Sequence, residues 1–373
     1  IDTPYLYNRI TKVFGEEFAN ALSPIQQVRY NQNKKKYRIA GVSSLDYIEL
    51  YRKFTYVQRS SYRLDYIGQI EVDMGKVEYE GTLDMLFEND IDKFIEYNLV
   101  DVKIVVALEN KLKLIDLARA VSHMGRIPYE EVYFSSRYIE GAMLTYLRKL
   151  NLVAPSKRHD ASYDDSAGRF SGAYVKDPKP GRYEWVYDLD LTSMYPSTIM
   201  SLNISPETKI GKLAGWDAEE FIKGVDKHYT VNKGKKVIRT FTSGELKDFF
   251  NKNNVSISSN GVLYDLKQKG VIPAILEKWF NERVEYRKLA KKYGQEGNDE
   301  LHGYFDRRQL VQKILLNSLY GVLGLTVFRF YDIDNAEGTT TTGQKLIQFT
   351  EKIANSYYNK ILKTDKDYCI YTD

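Results

Sequence analysis

Asp190 closes a run in which Trp185, Tyr187 and Leu189 alternate with Glu184, Val186 and Asp188, the period of a strand with one half-buried face. Thr192, Ser193, Met194 and Tyr195 follow, and Pro196 falls where the first turn of a helix tolerates proline. A strand that hands over to a helix through a tight turn sets a carboxylate beside backbone N–H groups lacking an acceptor inside the helix. A carboxylate holds a hard cation such as Mg²⁺ and such N–H groups hold phosphate, so together they suit a metal-bound polyphosphate. Taken alone, the same residues equally make a helix cap and a core tyrosine, because short motifs match by chance.

Distant stretches ask for the same chemistry. Residues 279–288 form an amphipathic helix with Arg283 and Arg287 at i, i+4 on one face. A polar link, 294–303, leads to a second helix through Gly321, on which Lys313, Asn317, Tyr320 and Gly321 share a stripe. Two such helices make a hairpin whose inner face carries Arg283, Arg287, Lys313 and Asn317. On charge alone, a hairpin with its basic side chains in solvent is an equal reading. Residues 368–373 read as a strand ending in another carboxylate, Asp373. Near the start, Asp2 stands just ahead of a predicted helix over 6–13, and Tyr97 and Asp101 lie four apart on one helix face.

The elements between are readable in outline. Residues 29–38 are a basic tip between β-like runs, 61–66 begin a helix or turn, and 105–124 read as one amphipathic helix. Residues 155–172 are a polar connector and the best domain boundary. They end in Phe170, Ser171, Gly172 and Ala173, where small residues let a backbone approach something closely. The lysines at 233–236 with Arg239 read as a solvated face, and 339–343 begin another helix.

With 373 residues the chain has room for two or three domains. Lys plus Arg exceeds Asp plus Glu by 54 − 50 = 4, so local clusters rather than net charge must announce any nucleic acid. The single cysteine, Cys369, excludes an internal disulfide framework and fits a reducing compartment, where it packs in its strand. No apolar run approaches a membrane span and no signal peptide is seen. A first residue of Ile1 rather than methionine points to a piece of something larger, or a processed product.

DLTSMYPS at 190–197, KILLNSLYG at 313–321 and YTD at 371–373 resemble motifs A, B and the opening of C of the family B DNA polymerases. NISPET at 203–208 is most similar to the replicative polymerases of large tailed bacteriophages. The stretch opening at Asp2 resembles the second motif of the family's proofreading exonuclease, and 97–101 the third. Residues 170–173 resemble the element that contacts template between exonuclease and polymerase, with Phe170 in place of its tyrosine. The likeness runs from Asp2 to Asp373.

This resemblance implies a multidomain α+β fold. Residues 1–112 would be the C-terminal part of a ribonuclease H-like 3′–5′ exonuclease and 113–165 a connector. Residues 166–268 and 326–373 would form a palm with an antiparallel sheet, and 269–325 helical-hairpin fingers, shorter than in phage relatives. The stretch 209–254 is longer than theirs, and 29–38 would be a hairpin that helps a primer end move between sites.

By the same resemblance, Asp190, the carbonyl of Leu191 and Asp373 would hold two Mg²⁺ ions, with Mn²⁺ able to substitute. Ser193, Met194, Arg283, Lys313 and Arg287 would hold the triphosphate, Asn317 the nucleotide pocket, and Tyr195 would exclude a ribose 2′-hydroxyl. Tyr320 and Gly321 would pack on the nascent pair and template, and Gly172 and Ala173 would contact DNA. Asp2, Tyr97 and Asp101 would serve the exonuclease, which lacks its first motif and is therefore incomplete.

Motif C stops before its second aspartate. The reading is thus of a polymerase fragment, little active until a C-terminal polypeptide supplies the rest of palm and thumb. Its partners would be primer-template DNA, dNTP and that polypeptide, with a sliding clamp as a further candidate, in a bacterial cytoplasm if phage-encoded. The alternative is a DNA-binding or assembly subunit of a split polymerase. A free-standing nuclease fails because two of the usual four carboxylates are missing.

Overall fold

A computed structural model describes the chain except residues 1, 34, 56, 158–171, 235 and 373, and for Asp2 the backbone alone. It is a mixed α and β chain with antiparallel strand pairing, and it divides into two units, Ile1–Tyr138 and Ile139–Asp373.

In the first unit, α1 (Asp2–Phe14) and α2 (Glu16–Asn20) precede a hairpin of β1 (Val28–Asn31) and β2 (Lys36–Ile39), paired from Val28 opposite Ile39 to Asn31 opposite Lys36. This is the basic-tipped hairpin read from the sequence. The first helix, expected over 6–13, takes in Asp2 as well. Then come α3 (Tyr47–Phe54), α4 (Leu64–Val72), α5 (Leu83–Asn89), α6 (Ile91–Leu112) and α7 (Leu114–Gly125). The side chains of Asp46, Thr82 and Asp90 accept orphan N–H groups at the starts of α3, α5 and α6.

The single helix expected over 105–124 is two helices. Lys113 adopts a left-handed conformation with φ of 53°, which closes α6 and redirects the chain into α7. Leu50, Phe54, Ile67, Ile104, Leu108 and Leu117 fill the core. A Cβ on Gly68 of α4 would stand 2.8 Å from Ile104 Cγ2, so glycine alone lets α4 lie this close to α6. The opposite face of α6 turns Ile91, Ile95, Leu99, Val102 and Val106 toward solvent.

Helix α8 (Ser135–Lys149) carries the unit boundary. Most of the predicted connector lies outside the described residues. In the second unit, α9 (Met194–Leu202) leads to β3 (Lys209–Ala214), α10 (Ala218–Ile222), β4 (His228–Lys233), β5 (Lys236–Thr242), α11 (Ser243–Lys252), β6 (Val255–Ile257) and β7 (Val262–Asp265). The strands form one antiparallel sheet in the order β5-β4-β3-β7-β6. Leu213, Tyr229, Val231, Phe241, Leu246 and Leu263 make its core. Lys233, Lys236 and Arg239 are exposed at the β4–β5 end, the solvated face expected of them.

Helices α12 (Val271–Gln295) and α13 (Asp299–Leu323) form the predicted hairpin, and Asn298 caps α13 by accepting from the Leu301 N–H. Tyr293 stacks on Phe305 across the pair, 5.5 Å between centroids and 6° between planes. Helix α14 (Ile333–Leu362) begins earlier than the expected start at Thr339, because Asp332 accepts from the Asn335 N–H and caps it. Helix α9 packs against α12, α13 and α14. Among the described residues no helix is long and apolar enough to cross a membrane.

The predicted strand over 184–190 does not form. Its residues are all exposed, Trp185 at 96 %, and Trp185 takes a φ of 60° that interrupts an extended run. Alternation supplies only one face of a strand; the ladder needs a neighbour, and among the described residues none pairs with this segment. The predicted strand over 368–373 is likewise reduced to one isolated bridge, Thr372 opposite Lys176.

Candidate functional site

The turn after Asp190 is built as the sequence suggests, although the strand before it is not. Ser193 sits in the left-handed region (φ 51°, ψ 46°) and its carbonyl accepts the Ser197 N–H at 2.9 Å, which starts α9. As first-turn groups, the N–H groups of Ser193 and Met194 have no acceptor inside α9. Asp190 and Leu191 are exposed and line a cavity of about 1290 Å³. Its other walls are α14, through Ile347, Glu351 and Tyr358, and the terminal segment through Thr372. Asp373 itself lies outside the described residues, so the pairing of the two carboxylates is not part of the geometry.

Two lysines hold that terminal segment. The backbone N–H groups of Lys176 and Lys179 donate to the carbonyls of Thr372 (3.0 Å) and Ile370 (2.9 Å). Both ammonium groups converge on Asp367, at 2.7 and 2.5 Å, and Lys176 also pairs with Glu351. Burial works against charge on Asp367, but Lys176, Lys179 and Asn355 outweigh it and hold the carboxyl well below the usual carboxylate range.

Tyr195, in the first turn of α9, and Tyr320, near the end of α13, are far apart in sequence and stack face to face. Their centroids are 4.1 Å apart and their planes 13° from parallel. Burial and the neighbouring Tyr320 raise the Tyr195 pKa. The Tyr320 hydroxyl and that of Thr340 on α14 share a 2.8 Å hydrogen bond. Thr340 was not singled out by sequence; its run of threonines reads only as helix.

The hairpin carries the predicted phosphate-binding side chains at different depths. Arg283 and Lys313 are half-buried, and the Arg283 Nε donates to Gln309 Oε1 on the facing helix at 3.5 Å. Arg287, Asn317 and Gly321 are exposed. Gly172 and Ala173 are exposed too; the Gly172 carbonyl accepts from the Gln344 side chain of α14, and a Cβ at Gly172 would meet nothing within 4 Å. Phe170 lies outside the described residues.

In the first unit Tyr97 and Asp101 do share a face of α6, and a residue missed by sequence stands between them. The Lys76 ammonium donates to Asp101 Oδ2 at 2.8 Å and to the Tyr97 hydroxyl at 2.9 Å. Burial opposes the Lys76 charge, but hydrogen bonds to Asp101 and Tyr97 prevail and raise its pKa. The other carboxylate oxygen, Asp101 Oδ1, is buried without a partner among the described residues. No local pattern marks Lys76, since its meeting with α6 depends on how α4 folds back. The Asp2 side chain lies outside the described atoms.

Among the described residues no group of three or more His, Cys, Asp or Glu is placed to hold a metal ion. What is present does fit a hard cation in part. Asp190 is an exposed carboxylate residue beside the exposed Leu191, and Mg²⁺ takes one or two protein oxygens and keeps several waters. The orphaned Asp101 oxygen is a further unused donor.

Residues 128–371 match the model of the family described as DNA polymerase family B. The chain is 30% identical over 427 residues to the DNA-directed DNA polymerase of Escherichia phage RB69, covering 100% of this chain and 44% of the relative. It is 30% identical over 424 residues to that of Enterobacteria phage T4, covering 98% and 44%. The chain thus spans less than half the length of these relatives. A solved family B DNA polymerase from the hyperthermophilic archaeon Pyrobaculum calidifontis shares the fold at a TM-score of 0.67 and 21% identity, covering 95% of this chain and 42% of that one.

Proposed function

The chain belongs to DNA polymerase family B, and on that premise we propose that it is the part of a template-directed DNA polymerase that adds dNTPs to a primer 3′ end. In this reading 166–268 and 326–373 are the palm, 269–325 the fingers, and 1–112 and 113–165 the exonuclease portion and connector. The observation that carries it is the Tyr195–Tyr320 stack, which joins two motifs far apart in sequence into one floor.

Asp190, the Leu191 carbonyl and Asp373 would hold Mg²⁺, which when bound supplies Lewis acidity toward the primer hydroxyl and the triphosphate. The chain's own groups do the positioning. The N–H groups of Ser193 and Met194 aim at phosphate oxygens, as helix N-termini do. Arg283 offers a planar fork and Lys313 a point charge, with Arg287 behind them. Asn317 supports the nucleotide pocket. Tyr195 lies beneath the sugar, where a 2′-hydroxyl collides, and Tyr320 and Gly321 meet the nascent pair. Gly172 and Ala173 approach the template strand closely because they carry almost no side chain.

A C-terminal polypeptide supplying the rest of palm and thumb completes the enzyme. It also covers the strip at 183–191, and a sliding clamp would act on the assembled form. Asp2, Tyr97 and Asp101 would belong to a 3′–5′ proofreading site. A second reading is a DNA-binding or assembly subunit without turnover.

Primer extension with Mg²⁺ separates the two. The chain mixed with its downstream polypeptide extends primer, the chain alone does not, and Asp190→Ala in the mixture loses about 10²–10³-fold, the loss typical of one preorganised electrostatic group. Full synthesis by Asp190→Ala ends the catalytic reading of this site. Primer-template binding with no extension by the mixture favours the subunit reading.

A further inference from the structure

We infer that Gly343, in the middle of α14, is a positioning residue for sugar discrimination, acting through Tyr195. The inference rests on the reading of Tyr195 as the group that meets the sugar.

Gly343 is a buried glycine inside a 30-residue helix, and its backbone needs no left-handed conformation. Among non-proline residues glycine is the worst helix former, so a buried interior position normally takes alanine or something larger. The reason for its absence is next door. A Cβ built on Gly343 would stand 3.0 Å from Tyr195 Cε1, 3.5 Å from Tyr195 Cδ1 and 3.2 Å from Met194 Cε. The Met194 methyl is the end of a flexible chain and yields easily. The ring of Tyr195 can give way only by shifting against Tyr320, which lies flat against it at 4.1 Å and is itself tied to Thr340 of the same helix. Any side chain at 343 therefore tilts or slides the Tyr195 ring, while α14 itself gains helix propensity.

Such a displacement acts on the sugar and not on the phosphates. The ring would lose its flat seat, so the contact that excludes a 2′-hydroxyl loosens while Asp190 and the phosphate-binding side chains stay where they are. The signature is a change in the ratio of kcat/KM for dNTP to that for rNTP, carried in KM more than in kcat.

The test uses the chain assembled with its downstream polypeptide and compares wild type, Gly343→Ala, Tyr195→Ala and the double variant, with thermal unfolding of each as a check on folding. The expected result is a dNTP/rNTP ratio about tenfold lower in Gly343→Ala and lower still in Tyr195→Ala. The double variant should match Tyr195→Ala alone, since a seat without its occupant has nothing to position. A Gly343→Ala ratio within twofold of wild type, with Tyr195→Ala altered, overturns the role of Gly343 and leaves that of Tyr195 standing. Equal drops from Gly343→Ala in both backgrounds also overturn it, since the effect then bypasses the ring. An unchanged ratio in Tyr195→Ala removes the gate and the inference together.

Discussion

Asp101 and Asp190 are carboxylates in opposite surroundings. Asp101 is half-buried on α6, holds Lys76 at 2.8 Å, and keeps one oxygen buried without a partner. Asp190 lies on an exposed segment that lines a large cavity, with no ion pair among the described residues. A buried carboxylate must be compensated as soon as the chain folds, and here an ammonium does it from within. A solvated one is compensated by water and can wait for a ligand. The first station is therefore part of the fold of its unit, and the second is not.

Four measurements can break or sharpen that contrast. The largest effect is expected at the strip beside Asp190. Trp185→Ser should leave unfolding of the lone chain unchanged but weaken its association with the proposed C-terminal polypeptide by about 30-fold, roughly 2 kcal/mol, as for a buried aromatic anchor. Equal affinity would mean that the strip stays in solvent after assembly. Next, Lys76→Met should destabilise the first unit by about 1–2 kcal/mol, because it takes the counter-charge from a half-buried carboxylate whose other oxygen already has no partner among the described residues. Thermal unfolding reads this directly, and a neutral Lys76→Met would put Asp101 in the same class as Asp190.

The third measurement concerns pH. Asp367 has a folded-state pKa below its unfolded value, so its contribution is fully present above the unfolded pKa, about 3.9, and is lost as pH falls through the folded one. The stability gap between wild type and Asp367→Asn should be constant above about pH 4 and shrink below it. A gap that instead grew with acidification would contradict the clamp by Lys176 and Lys179. Smallest of all, Asp190→Asn should change stability by no more than about 0.5 kcal/mol, although it removes a charge central to the proposed chemistry. A larger loss would show that Asp190 does hold the fold together.

The same contrast explains which parts could be read in advance. Helices announce themselves locally: the hairpin of α12 and α13, the turn into α9 and the Tyr97–Asp101 face all follow from spacing and capping. The β1–β2 hairpin was equally legible, since both of its strands lie within a dozen residues. Residues 184–190 carry a strand's alternation as clearly as any, yet a strand exists only beside another, and no pattern within it says whether one is there. The break at Lys113 has no signal either, because lysine in a left-handed turn looks like lysine in a helix. Lys76 and Gly343 were invisible for a related reason. Their meaning lies in what stands opposite them, Asp101 in one case and the ring of Tyr195 in the other.

The exposed run from Tyr183 to Leu191 also bears on how this polypeptide can be handled. Trp185, Val186, Leu189 and Leu191 form an exposed apolar ribbon that pairs with no strand among the described residues, the kind of edge that recruits other chains indiscriminately. A formal net charge of +4 spread over 373 residues gives weak mutual repulsion to oppose such encounters. Produced at high concentration the molecule should therefore clump. How concentrated it can be kept is, in that sense, written into one ribbon of aromatic and aliphatic side chains.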